Sequence, residues 1–435
     1  MACCHYFSEI EGNETVFSVD ATAISCGHGV LKELGHEIKS LRLSRVAIFT
    51  DAHVSKLWFF EEALASCKLA GIDVTIFDES RVEPSDRSMM NAIKFAQEGQ
   101  FEGFVSIGGG SVIDTCKLAN LYSSYPADFE DYVNAPLGKG IPVPGSLKPH
   151  IACPTTAGTG SECTGIAVFD LISQNVKTGI ASKYLKPSRA LIEPAVTQTL
   201  PSSVVACSGF DVLSHALESY TASPFTNRSK LDNPGLRPLS QGSNPWSDMG
   251  CREALRLSGL YLERAVNDEN DQEARENMMF AATLAGIAFG NSGVHIPHAM
   301  SYSVAGMIKD FNPVGYPSDH AMCPHGMSVI VNAPAVFRFT AEHCPQRHFQ
   351  AAELLGADVA GANEEDSGEL LANKISNMMK KTGMPNGVSG VGYAQTHVGE
   401  LANGAFAQQR LLSNAPCDVK ESDLKLLYQQ AMSYW

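Results

Sequence analysis

The stretch GFDVLSHALESY, residues 209 to 220, carries Asp211 and His215 four positions apart in an otherwise apolar run. On a helix that spacing puts a carboxylate and an imidazole on one face. Two readings fit: a structural hydrogen-bonded pair, or half of a metal site. Further on, GNSGVHIPHAMSY holds His295 and His298, and DHAMCPHGMS holds His320 and His325. Each alone could be a satisfied core histidine. One carboxylate with three imidazoles, however, suits Fe(II) or Zn(II) with a position left open for a substrate oxygen.

A second group of residues points to a phosphorylated ligand. SIGGGSVIDTCK ends a strand and opens a helix, and Gly108 to Gly110 permit close backbone approach to an anion at the helix N-terminus. It is not GxGxxG, so the usual dinucleotide fingerprint is absent. PTTAGTGSE adds the hydroxyls of Thr155, Thr156 and Thr159. Asp51 ends an apolar strand, where a carboxylate can bind an adenosine ribose and favour NAD over NADP. Asp114 falls in the first helical turn, a position that favours a carboxylate whatever its function.

The elements that must position these groups change character along the chain. Residues 44–51, 73–79, 103–110, 150–160 and 189–194 read as strands, the earlier ones separated by helices. Continuous apolar strands in that alternation imply a parallel sheet covered on both faces. From about residue 200, apolar positions recur at three and four, which predicts helices over 201–221, 247–266, 271–290, 326–342, 366–382 and 421–433. The expected domains are therefore 1–200 and 201–435. The stretch 223–248, rich in Pro, Asn and Ser, reads as a long loop between two helices.

Composition bounds the function. The chain has 435 residues, 44% hydrophobic and 18% charged, with a net charge of −15. That balance argues for a globular fold and against nucleic acid or an anionic membrane as the main partner. Twelve cysteines lack CxxC spacing and read as free thiols; adjacent Cys3 and Cys4 are candidates for lipidation or reactivity. The first arginine is Arg42, so the N-terminus lacks a presequence's Arg-rich character. A cytoplasmic location is the expectation, though a trimmed mitochondrial chain would look the same. A homo-oligomer is also expected.

Taken in order, GGGSVID, PTTAGTGSE, FDVLSHALESY, GNSGVHIPHAM and PHG resemble the iron-containing (group III) alcohol dehydrogenase family, from about Gly27 to Tyr434. The sharing is densest with its hydroxyacid–oxoacid transhydrogenase subgroup, through RVEPSDRS, LKPHIACPTTAGTGSE and RPLSQGSNPWSD. The resemblance implies a Rossmann-like N-terminal domain followed by an all-α dehydroquinate-synthase-like domain. It implies metal ligands Asp211, His215, His298 and His325, with Fe(II) or alternatively Zn(II). It also implies NAD contacts from Asp51, Gly109, Gly110, Ser111, Asp114, Thr155, Thr156, Thr159, Thr164 and Lys177.

The activity implied is metal-assisted hydride transfer between a hydroxy acid of the 4-hydroxybutyrate type and an oxo acid of the 2-oxoglutarate type, through bound NAD. An ordinary NAD-linked dehydrogenase and a dehydroquinate-synthase-like lyase are the alternatives. Where many members place a second histidine four residues after the third ligand, this chain has Tyr302, and His295 is the other candidate for proton transfer. Arg228, Lys230 and Arg237 are candidate partners for substrate carboxylates.

Overall fold

The computed structural model describes residues 6–7, 10–172, 176–316 and 320–435, so Cys3 and Cys4 lie outside the described residues. The chain divides into two compact units, Ala21–Leu200 and Pro201–Trp435, the latter joined by the segment up to Asp20.

The first unit is built on six parallel strands in the order β1 (Ala23–Cys26), β8 (Arg189–Ile192), β5 (His150–Pro154), β4 (Gly103–Gly108), β2 (Arg45–Phe49) and β3 (Asp73–Phe77). Every residue of β4 and β5 is buried, as expected for central strands covered on both faces. Helices α1 (Leu34–Ser40), α2 (Trp58–Leu69), α3 (Asp86–Gly99) and α4 (Gly110–Ser124) alternate with the strands, and a single turn, α5 (Phe129–Tyr132), follows. Phe49, Phe77, Phe101 and Phe104 fill one side of the core with Phe95 packed against them. β1 escapes the sequence pattern because none of its four residues is buried, two being exposed and two half-buried. So does the antiparallel ribbon β6 (Ile166–Leu171) and β7 (Val176–Ala181).

The second unit is helical: α6 (Ser202–Thr221), α7 (Pro245–Asn267), α8 (Gln272–Ser292), α9 (Ile296–Gly306), α10 (His325–Ile330), α11 (Ala333–Ala341), α12 (Pro345–Leu354), α13 (Ser367–Lys381), α14 (Val398–Phe406), α15 (Gln409–Leu412) and α16 (Glu421–Gln430). The helix expected over 326–342 is two helices, α10 and α11, with Pro334 at the start of the second. Caps set the other starts: Asn244 accepts from the Ser247 N–H at 3.0 Å, and Asp271 from that of Ala274 at 3.0 Å.

The segment before Asp20, expected with the first domain, packs instead on the helical unit. It runs along the 223–248 loop as a strap. Glu14 N–H donates to Arg228 O at 2.7 Å, Lys230 N–H to Gly12 O at 3.0 Å, and the Asn13 amide to Thr226 O at 2.9 Å. Gln241 accepts from Ser18 N–H at 2.9 Å, and the Tyr6 hydroxyl donates to Asp248 at 2.7 Å. The loop satisfies its backbone groups partly within itself, Phe225 N–H donating to Ser243 O at 3.1 Å and Ser243 N–H to Ser223 O at 3.0 Å, and otherwise through this strap and through Asn291 and Ser292, whose carbonyls accept from Gln241 and Gly242. Among the described residues no single helix is long and apolar enough to cross a membrane.

Candidate metal centre

Asp211 and His215 sit on the buried face of α6, whose residues from Gly209 to Thr221 are all buried. His298 comes from the first turn of α9, and His325 is the first residue of α10. Gly326 brings His325 in: a Cβ there would lie 2.0 Å from the Cys207 carbonyl oxygen and 2.8 Å from Asp211 Cβ. Only glycine lets α10 approach α6 so closely.

One atom from each of Asp211, His215, His298 and His325 falls within 4.8 Å of all the others. Asp211 Oδ1 is 3.6 Å from His215 Nε2 and 3.7 Å from Nε2 of both His298 and His325. These distances are too long for hydrogen bonds. They approach the ~3.4 Å between ligand atoms around a tetrahedral cation with bonds of about 2.1 Å. Asp211 Oδ1 and His298 Nε2 are buried with no hydrogen-bond partner, so the donor set fits a divalent cation. His325 is 25% exposed where the other three side chains are 2–5% exposed, which marks the open side.

The ring orientations are built into the fold. His215 stacks on Phe289 at 3.9 Å and 9°. Nδ1 of His298 lies 2.6 Å from Oε1 of Glu218, a residue the sequence analysis passed over. Burial alone would push the Asp211 carboxyl up, but His215, His325 and His298 hold it well below the usual carboxylate range. Burial pushes His215 down to about 4. It acts the same way on His298, yet Glu218 and Asp211 outweigh it, and that imidazole is raised to about 9. A cation entering the site displaces a proton.

The other predicted residues lie as follows. His295 is buried beside the cluster, its Nδ1 accepting from the Ile296 N–H at 2.8 Å and its Nε2 3.0 Å from Thr221 Oγ1. Tyr302 is buried on α9, one turn beyond His298. His320 is not among the four gathered residues. Arg237 binds both oxygens of Glu14, at 3.1 and 3.3 Å, and Arg228 donates to Ser240 O at 2.7 Å. Lys230 is exposed.

In the α/β unit the glycine turn and the threonine loop are packed on each other. A Cβ on Gly110 would be 2.6 Å from Thr159 Cγ2, and one on Gly109 would be 3.2 Å from Thr156 Cγ2. Thr155 N–H donates to Gly108 O at 3.0 Å. Asp51 caps the following turn, accepting from the N–H groups of His53 and Val54 at 2.9 Å each. Ser111 Oγ accepts from the Glu83 N–H at 3.3 Å.

Asp114 accepts from Ser161 Oγ, from Val168 N–H at 2.9 Å and from Lys117 at 3.3 Å. Lys117, a second residue missed in sequence, is fully buried and also donates to Ile166 O at 2.7 Å. Thr164 Oγ1 lies 3.5 Å from the same ammonium. Lys177 is buried between Glu83 at 2.7 Å and Asp170 at 2.8 Å. Asp114 and Lys177 thus have strong protein partners of their own, whereas Gly109 and Gly110 are half-buried beside the threonine loop.

Two family models match the chain: "Iron-containing alcohol dehydrogenase" over residues 21–194, and "Fe-containing alcohol dehydrogenase family, C-terminal" over residues 239–432. The chain belongs to the iron-containing alcohol dehydrogenase family. As a member of that family it is an oxidoreductase. Relatives include the mitochondrial hydroxyacid-oxoacid transhydrogenase of Bos taurus, 45% identical over 99% of this chain and 94% of the relative. A probable mitochondrial hydroxyacid-oxoacid transhydrogenase of Dictyostelium discoideum is 42% identical over 99% of this chain and 83% of the relative. Among solved structures, a 1,3-propanediol oxidoreductase superposes with a TM-score of 0.83 at 25% identity, covering 96% of this chain and 100% of that one. The iron-containing alcohol dehydrogenase of Thermococcus thioreducens gives 0.79 at 28%, covering 96% and 99%. The α/β unit followed by a helical unit is the family's architecture.

Proposed function

We propose that the protein transfers hydride between a hydroxy acid and an oxo acid through bound NAD, as a hydroxyacid–oxoacid transhydrogenase. The observation that carries this reading is the 45% identity to proteins of that name, which spans 99% of the chain and includes the 223–248 loop. The proposed metal ligands are Asp211, His215, His298 and His325, with Fe(II) the preferred ion. A divalent cation held there would supply Lewis-acid polarisation of the substrate oxygen, and NAD would supply the hydride carrier.

The chain's own residues do the rest. The Gly109–Gly110 turn and the hydroxyls of Thr155, Thr156 and Thr159 would cradle the cofactor phosphates, with Asp51, Ser111 and Thr164 as further contacts. Asp114 and Lys177 would act by holding those loops, since each is engaged by its neighbours. Both ring nitrogens of His295 are occupied, so Tyr302 is the preferred proton carrier. Arg237 is neutralised by Glu14, which leaves Arg228 and Lys230 as the proposed partners for a substrate carboxylate. The proposed compartment is the mitochondrion, on the names of the relatives, in place of the cytoplasm.

The test uses purified Fe(II)-loaded protein without added cofactor, mixed with 4-hydroxybutyrate and 2-oxoglutarate. Matched formation of succinate semialdehyde and 2-hydroxyglutarate over many turnovers supports the transhydrogenase. Silence until NAD is added, then free NADH from 4-hydroxybutyrate alone, makes it an ordinary dehydrogenase.

A further inference from the structure

Glu218 follows Asp211 by seven residues and His215 by three on α6, so the three share one helix face. Its side chain is fully buried, and its two oxygens do different things. Oε1 lies 2.6 Å from Nδ1 of His298. Oε2 accepts main-chain N–H groups at the start of α9, from His295 at 2.7 Å and from His298 at 3.3 Å. Those N–H groups have no helical acceptor of their own. One carboxylate on α6 therefore caps α9 and also engages the imidazole that α9 presents.

We propose that Glu218 is a positioning residue for the metal centre, fixing His298 in the tautomer that keeps hydrogen on Nδ1 and turns the Nε2 lone pair to the cation. The proposal rests on reading Asp211, His215, His298 and His325 as the metal site. A carboxylate can only accept, so the ring nitrogen facing it must carry the hydrogen. The carboxylate cannot be exchanged for an amide without consequence. In Glu218→Gln the two main-chain N–H groups still demand an oxygen at the Oε2 position. The amide NH2 then falls opposite Nδ1, donates to it, and selects the tautomer with hydrogen on Nε2. That hydrogen would point at the space between His298 and Asp211. A purely structural cap would survive the change, because the amide oxygen still accepts both N–H groups. Carboxylates that orient ligating histidines typically change metal affinity 10–100-fold when lost.

The experiment titrates metal-free, full-length protein with Co(II) alone, following its visible absorption and competing with a chelating dye. Wild type, Glu218→Gln, Glu218→Asp and His298→Ala are compared, with apo melting curves as the folding control. The expected result is a roughly 10–100-fold weaker Co(II) affinity in a Glu218→Gln that still folds, with Glu218→Asp in between. Wild-type affinity in a folded Glu218→Gln, or weaker binding by Asp than by Gln, overturns the proposal. Unaltered Co(II) binding by His298→Ala is a different failure, because it removes the metal reading itself. Long-range proton–nitrogen NMR of the Zn(II)-loaded wild type, labelled with 15N-histidine, tests the same point without a variant. A protonated Nδ1 on His298 is expected, and an unprotonated or metal-bound Nδ1 overturns the assignment.

Discussion

Oδ1 of Asp211 and Nε2 of His215 lie 3.6 Å apart across one turn of α6, facing each other without a hydrogen bond. A pair selected only for its mutual contact would close that gap. Its width, repeated to His298 and His325, approaches the spacing that ligands around an ion would take.

Asp211→Asn keeps the shape of that side chain and removes its charge. Bound metal per chain should fall by at least about tenfold, and turnover by about 100-fold or more. Elemental analysis of the purified variant, beside a steady-state assay, checks this. Full metal occupancy with normal turnover would place the ion elsewhere.

Gly110→Ala puts a methyl group 2.6 Å from Thr159 Cγ2 and 2.8 Å from its hydroxyl. The threonine loop must move, at a cost of about 1–3 kcal/mol. Titration of NADH fluorescence should show binding weakened by about tenfold or more, while Co(II) affinity in the helical unit stays as in wild type. Unchanged NADH affinity would take this turn out of the cofactor site.

His150 lies in the middle of the sheet, 2.8 Å from Ser106 Oγ, with Lys117 the nearby charge; burial pushes it down to about 3. Its folded value is below the ordinary ~6.5, so the unfolded chain takes up the proton first as pH falls. The stability it contributes is complete well above pH 6.5 and is lost progressively toward pH 3, by roughly 1.4 kcal/mol between pH 7.5 and 5.5. His150→Asn should flatten the pH dependence of urea unfolding by that amount. Parallel curves for the two proteins would contradict it.

Arg347 is buried against Asp248 and Tyr6 and lies 4.4 Å over the Tyr220 ring. Burial pushes Asp248 up to about 6 even with that guanidinium beside it. Arg347→Leu strands the carboxylate, and a loss of about 3–5 kcal/mol is expected. The strap should become the first site of proteolysis, read by mass spectrometry of early fragments. Wild-type resistance before Asp20 would show that the strap is held by the loop alone.

Much of this was legible because the relevant chemistry repeats at short range. The i, i+4 pair of Asp211 and His215 and the strand-to-helix glycine turn are local patterns, and the parallel sheet follows from unbroken apolar strands. Glu218 was equally available, since Asp211, His215 and Glu218 follow a helical face at i, i+4 and i+7. It was passed over because a carboxylate near a helix end has many ordinary uses. Lys117 hides for the opposite reason: nothing local says that a lysine on α4 will be buried by the ribbon β6–β7 and the Ser161 turn. The separate packing of Tyr6 and residues 10–20 depends on partners more than 200 positions away, such as Gln241 and Asp248, and no periodicity encodes that.

The strap also sets an order of events during synthesis. Tyr6 is made 341 residues before Arg347, so at ~5–20 residues per second the strap waits roughly 20–70 s for that partner. In that interval Ala21–Leu200, a contiguous unit, is synthesised in full. The helical unit thus takes in a segment that is separated from the rest of it, in sequence, by the whole of Ala21–Leu200.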